Sequence, residues 1–219
     1  MPTLQINGIH INLLGDLNPA IFHPAWFASE KLITEAEANE ATKAGVRFIC
    51  SPQYTTFQIP WATFDVAQDH FNAVTTRESQ YEALRDLVLG TFKLLRHSPI
   101  KRLGINVECH YKYETLDAWN TFGHKLVPKE IWRKVMDDPG LLALTIIDKA
   151  RRKHPDGNTR VDIQSSTRVQ PGIFFGVNNH YECPTTAPAG ATEAVKIIES
   201  EFNKALEHSN HIINTLLSL

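Results

Sequence analysis

With 219 residues, 42 % hydrophobic and 21 % charged, the chain has the makeup of an ordinary globular protein able to bury a substantial core. A net charge of −2 excludes a global positive field that would draw it to nucleic acid or anionic membrane, so any polyanion site must be local. No apolar run approaches the length that spans a bilayer, and Cys50, Cys109 and Cys183 make no CxxC pair or even-numbered framework.

Residues 4–14 alternate, with Ile9 and Ile11 on one side and His10 and Asn12 on the other, which predicts a strand. No basic segment followed by an apolar one precedes it, so no leader is expected. Asn18-Pro19 and His23-Pro24 break the chain, and Phe22, Trp26 and Phe27 read as a core plug rather than a cofactor box. Thr34-Glu35-Ala36-Glu37 is a capping box, which predicts a short Ala-rich helix stopping at Gly45. Strands are expected over 46–50, 53–59 and 62–71, with Pro60 at an edge or bend.

Residues 77–97 place Tyr81, Leu84, Val88, Phe92 and Leu95 at helical spacing, ending before Pro99. From Leu103 to Tyr113 the odd positions are apolar and the even ones polar, the clearest strand in the chain. A helical stretch over 116–137 is interrupted near Pro128. Residues 141–147 are apolar on both parities, which predicts a strand covered on both faces or lying centrally. Strands over 160–168 and 173–183 follow, joined through Gln170-Pro171-Gly172, then a Pro/Thr/Ala-rich linker to Gly190. The last helix, 191–217, carries a stripe of Val195, Ile198, Phe202, Ala205, Ile212 and Leu216, interrupted by Ser209. His97 and His208 are expected near helix C-termini, where an imidazolium complements the dipole.

Residues 62–98 are echoed at 173–209: Phe64 and Val66 recur as Phe175 and Val177, Glu82-Ala83 as Glu193-Ala194, and His97-Ser98 as His208-Ser209. Gly8–Asn12 has a shorter echo in Leu103–Asn106. The expectation is an α+β protein of two pseudo-repeated halves, 1–98 and 99–219, forming one unit with a mainly antiparallel, curved sheet and helices on one face. That element order resembles TATA-box-binding-protein-like and helix-grip architectures, a likeness that implies no shared activity.

The best enzyme-like constellation is Glu108-x-His110 with His180-x-Glu182, since residues two apart on a strand share a face. If the two strands were neighbours, two imidazoles and two carboxylates could converge as metal ligands or an acid–base set; the plainer reading is a solvated polar face. Lys149, Arg151, Arg152, Lys153 and Arg160 form a basic hairpin able to neutralise phosphates, or simply a soluble turn. No G-x-S-x-G elbow and no Gly-rich phosphate loop is present, and Ser165-Ser166 has no local base. No cofactor and no resident metal is expected.

Arg102-Leu103-Gly104-Ile105-Asn106, followed by a His/Tyr/Glu strand and a long C-terminal helix, resembles a sporadically distributed bacterial family without assigned activity, over about residue 75 to the end. The resemblance implies a cytoplasmic protein associated with genomic islands or phage defence, acting with neighbouring gene products, and carries over no catalytic residues. Isolated cysteines in apolar runs also fit a reducing cytoplasm. The reading is a non-catalytic interaction or adaptor subunit, with a protein partner or self-association through Ile212 and Leu216. The alternatives are nucleic-acid or phosphate binding through 149–160, and a small enzyme built on Glu108, His110, His180 and Glu182. Membrane association is not expected.

Overall fold

The alternation at the N-terminus becomes β1 (Thr3–Gly15), in which Ile9, Ile11 and Leu13 are fully buried while His10 and Asn12 are half-buried on the opposite face. The computed structural model describes residues 1–43, 47–149, 156–184 and 190–219. After β1 come α1 (Pro24–Ser29), α2 (Glu35–Lys43), β2 (Ile49–Cys50), β3 (Tyr54–Ile59), β4 (Ala62–Ala67), β5 (His70–Thr75) and α3 (Tyr81–Leu94). The second part holds β6 (Ile100–Lys112), α4 (Leu116–Leu126), β7 (Ala143–Asp148), β8 (Gly157–Ser165), β9 (Gly172–Glu182) and α5 (Thr192–Leu217). The expected stop at Gly45 and most of the basic hairpin tip, including Arg151, Arg152 and Lys153, lie outside the described residues.

Among the described residues the strands form one antiparallel sheet in the order β2-β3-β4-β5-β1-β6-β9-β8-β7. The protein is therefore α+β, with β1 and β6 side by side at the centre. Leu103, Ile105, Val107 and Cys109 of β6 are buried, as their parity predicts. The same face of β9 carries Phe175, Val177 and Tyr181. Helices α3 and α5 lie against this face, α3 near β1 and β5 and α5 near β6 and β9.

At the other end of the core, Phe22 and Phe27 join Phe57, Phe64, Phe71 and Phe92, with ring centroids 4.7–6.4 Å apart in pairwise contact. The plug reading of this aromatic run holds. The capping box forms as expected: Glu37 N–H donates to Thr34 Oγ1 (3.1 Å), and Thr34 N–H donates to the Glu37 carboxylate (2.8 Å). Trp61 Nε1 adds a third hydrogen bond to that carboxylate at 2.9 Å, tying α2 to the turn between β3 and β4.

Four expectations need correction. Residues 62–71 are not one strand: a bend at Gln68-Asp69 separates β4 from β5. The echo of 62–98 at 173–209 thus sets a hairpin against the single strand β9, although α3 and α5 begin at equivalent positions. Residues 141–147 are neither central nor covered; β7 is the last strand of the sheet, and Ile146 and Ile147 are 55 % and 50 % exposed. His208 lies inside α5 rather than near its C-terminus. Ser209 does not interrupt the α5 stripe; it is fully buried on it, donating to Ala205 O (2.7 Å) and accepting from Asn179 Nδ2 (2.9 Å).

Candidate binding face

One face of the sheet carries the helices, and the even-numbered residues of β6 point to the other. β6 and β9 are neighbours, as the paired His/Glu motifs required, but the register keeps the motifs apart. Gly104 stands opposite His180 and Arg102 opposite Glu182, whereas Glu108 faces Gly176 and His110 faces Phe174. Four residues along a strand is roughly 13 Å, so the four side chains do not converge.

Each finds a different partner. Glu108 pairs with His10 across β1 (3.2 Å), and that hydrogen bond holds its carboxyl below the usual range against the opposing effect of burial. His180 Nε2 meets Glu182 Oε1 at 2.9 Å, which lowers the Glu182 pKa, and Arg102 lies 3.5 Å from the same carboxylate. His110 is buried and accepts at Nδ1 from Ser166 Oγ (2.8 Å), while Ser166 Oγ itself accepts from the N–H groups of Arg168 and Val169. Burial, then the nearby Arg168 charge, lowers the His110 pKa. Ser166 and His110 have the partners of a nucleophile and base, but both are closed to solvent, and the Ser166 oxygen is committed to holding the turn that follows β8.

The remaining candidates also have definite places. Lys149 is exposed, and Arg160 Nε is held by Asp162 at 2.9 Å. Ile212 and Leu216 are half-buried against this chain's own core. Cys109 and Cys183 are free and buried, and burial pushes both thiols up to about 12, so they stay protonated and inert at neutral pH. Among the described residues no group of three or more His, Cys, Asp or Glu side chains is arranged to hold a metal, and no helix is long and apolar enough to cross a membrane.

Sequence reasoning missed a row of carboxamides. Pairing across the open face aligns Asn72 of β5, Asn12 of β1, Gly104 of β6 and His180 of β9; one step along lie His10, Asn106 and Asn178. Asn12, Asn72, Gly104, Asn106, Asn178 and His180, with Leu14 and His70, line a trough of about 320 Å³. The Oδ1 atoms of Asn72, Asn106 and Asn178 are buried and accept no hydrogen bond. An unmet buried acceptor costs roughly 1–3 kcal/mol. The only sequence signal was Asn recurring on the polar parity of separate strands, and without the register nothing brought those positions together.

His70 sets the charge of this face. Its Nδ1 lies 2.8 Å from Asp69 and its Nε2 lies 3.2 Å from Asp65, whose other oxygen accepts from Tyr54. Two carboxylates on two ring nitrogens require two N–H donors, which only the imidazolium has. Burial opposes the charge, but these hydrogen bonds outweigh it and raise the His70 pKa.

A second surface lies where the sheet stops. No strand among the described residues pairs with the outer side of β7. Besides Ile146 and Ile147, Leu142 just before the strand is 84 % exposed, and Ile131, Val135 and Met136 are exposed in the preceding connection. No family model matches the chain, and no curated protein matches it either.

Proposed function

We propose that the chain is a non-catalytic interaction subunit of a bacterial cytoplasmic assembly, and that it docks an extended segment of a protein partner along β7. The observation that carries this reading is the outer side of β7, with which no strand among the described residues pairs and beside which Leu142, Ile146 and Ile147 are exposed. Proteins ordinarily guard such an edge with inward charges, proline or a covering element, because its free N–H and C=O groups template further pairing. An added strand takes main-chain hydrogen bonds along the edge and selects side chains through the apolar positions beside it. The association with genomic islands or phage defence rests on the family resemblance alone.

The decisive comparison is wild type against the double variant Ile146→Lys/Ile147→Lys, each purified from the native host under identical conditions. Loss of a stoichiometric co-purifying protein, with thermal stability retained, is the expected result. A partner held equally by both forms would place the interface elsewhere. A wild-type chain that sediments as a dimer, with a monomeric double variant, would make the occupant of the edge a second copy.

A further inference from the structure

Gly104 lies in the middle of a central strand, where a residue without a side chain forgoes cross-strand packing. Its backbone does not demand glycine: the register is regular from Asn12 to Gly104 and from Gly104 to His180, and the positive-φ glycine among the described residues is Gly190. What the missing side chain provides is room for the Asn106 carboxamide beside the trough. A Cβ at Gly104 would press on the Asn106 carboxamide, at 3.2 Å from Oδ1 and 3.5 Å from Nδ2, so this flexible side chain lies over the glycine and would have to give way. Gly176 on the same face is likewise covered by the Phe174 ring, and Gly8 by the rigid Thr75 carbonyl and Thr76.

We propose that the trough over Gly104, walled by Asn12, Asn72, Asn106, Asn178, His70 and His180, binds a neutral, hydroxyl-rich small molecule of monosaccharide size. The trough's volume of about 320 Å³ falls at the small end of ligand pockets, which run from ~300 to ~1,000 Å³. Its walls decide the ligand class. Among the described residues no Lys or Arg lines it to take a phosphate, and no Phe, Tyr or Trp face lines it to stack a nucleobase. Each carboxamide has an acceptor and a donor end; the Oδ1 atoms of Asn72, Asn106 and Asn178 have no partner and are closed to solvent, so these carboxamides must turn for a ligand to meet them. A hydroxyl both donates and accepts, so it satisfies either end of an amide. An ammonium can only donate and a carboxylate can only accept. The two imidazoles are already held by carboxylates, His70 by Asp65 and Asp69 and His180 by Glu182, which fixes these two side chains in place before a ligand arrives.

The test is a titration of ¹⁵N-labelled protein with D-glucose, D-galactose, D-mannose and D-ribose at millimolar concentrations, following the side-chain NH₂ signals of the four asparagines. The expected result is a saturable shift of these signals with at least one sugar. In Gly104→Val, whose β-branched side chain suits a strand and fills the trough, the apparent affinity should fall at least about tenfold. Gly104→Ala, the smaller change, serves the same comparison if the valine variant fails to fold. No saturable shift with any of the four sugars would overturn the proposal and leave the trough a water-filled groove. Equal responses in wild type and in the folded Gly104 variant would overturn it as well. Because Ile146→Lys/Ile147→Lys lies at the sheet edge, it should leave the sugar response unchanged, so this site and the β7 interface stand or fall separately.

Discussion

At the scale of single residues, protonation and burial give the sharpest expectations. The His70 pKa is raised above its ordinary 6.5, so its ion pairs stabilise the fold fully below that value. That contribution is lost as pH rises through the folded-state pKa. Thermal melts from pH 6.5 upward should therefore show wild type losing stability relative to His70→Asn; a difference that stayed constant or grew would contradict the doubly paired imidazolium. Cys109 gives a second expectation. It is 3 % exposed, and its sulfur donates to Asn7 Oδ1 at 3.5 Å. Cys109→Asp should cost about 3–5 kcal/mol, the cost of an uncompensated buried charge, measured by urea unfolding. Its burial was legible in the sequence because strict alternation from Leu103 to Tyr113 fixes which side of β6 meets the core. The His110–Ser166 contact was not legible, since it depends on the chain after β8 folding back over the opposite face.

Among the elements, α2 shows a local signal fully realised and then reused. The capping box was readable because it is written within four consecutive residues, whereas the Trp61 hydrogen bond to Glu37 depends on where the β3–β4 turn comes to lie. Thr34→Ala should cost about 0.5–2 kcal/mol, the usual cost of losing an N-cap. Trp61→Phe should retain the helix but remove one of the hydrogen bonds that lower the Glu37 pKa. A depressed carboxylate pKa stabilises above the ordinary 4.5 and stops doing so as pH falls through the lowered value. The acid limb of the Trp61→Phe stability profile should thus be shallower than that of wild type. Strand β7 shows the opposite case. Apolar residues on both parities fit a strand buried on two faces and fit equally an edge left open to a partner, and composition cannot separate the two. The β4–β5 hairpin escaped notice because its bend, Gln68-Asp69, contains neither glycine nor proline.

For the whole molecule, the long C-terminal helix decides whether association through α5 or the exposed β7 edge is the better account of a partner. Its buried line runs through Ala194, Ile198, Phe202, Ala205, Ser209 and Ile213, so the sequence placed the stripe correctly until Ser209 and then drifted to its flank. The cause is Asn179: a polar residue on the helix face of β9 donates to Ser209, and a serine on the stripe is there to meet it. Ile212 and Leu216 consequently pack half-buried on the margin of this chain's own core, not on a free face. Replacing both with Ser should lower stability by roughly 1.5–3 kcal/mol, about half the value of fully burying two such side chains. The fully buried Ile213 should cost about 2–5 kcal/mol on mutation to Ala. Sedimentation together with urea unfolding tests this order directly. The Ile212→Ser/Leu216→Ser variant should keep the mass of wild type and lose stability, because the contacts removed are intramolecular. A variant that dissociates while its fold holds would return the interface to α5 and leave the β7 edge without its role.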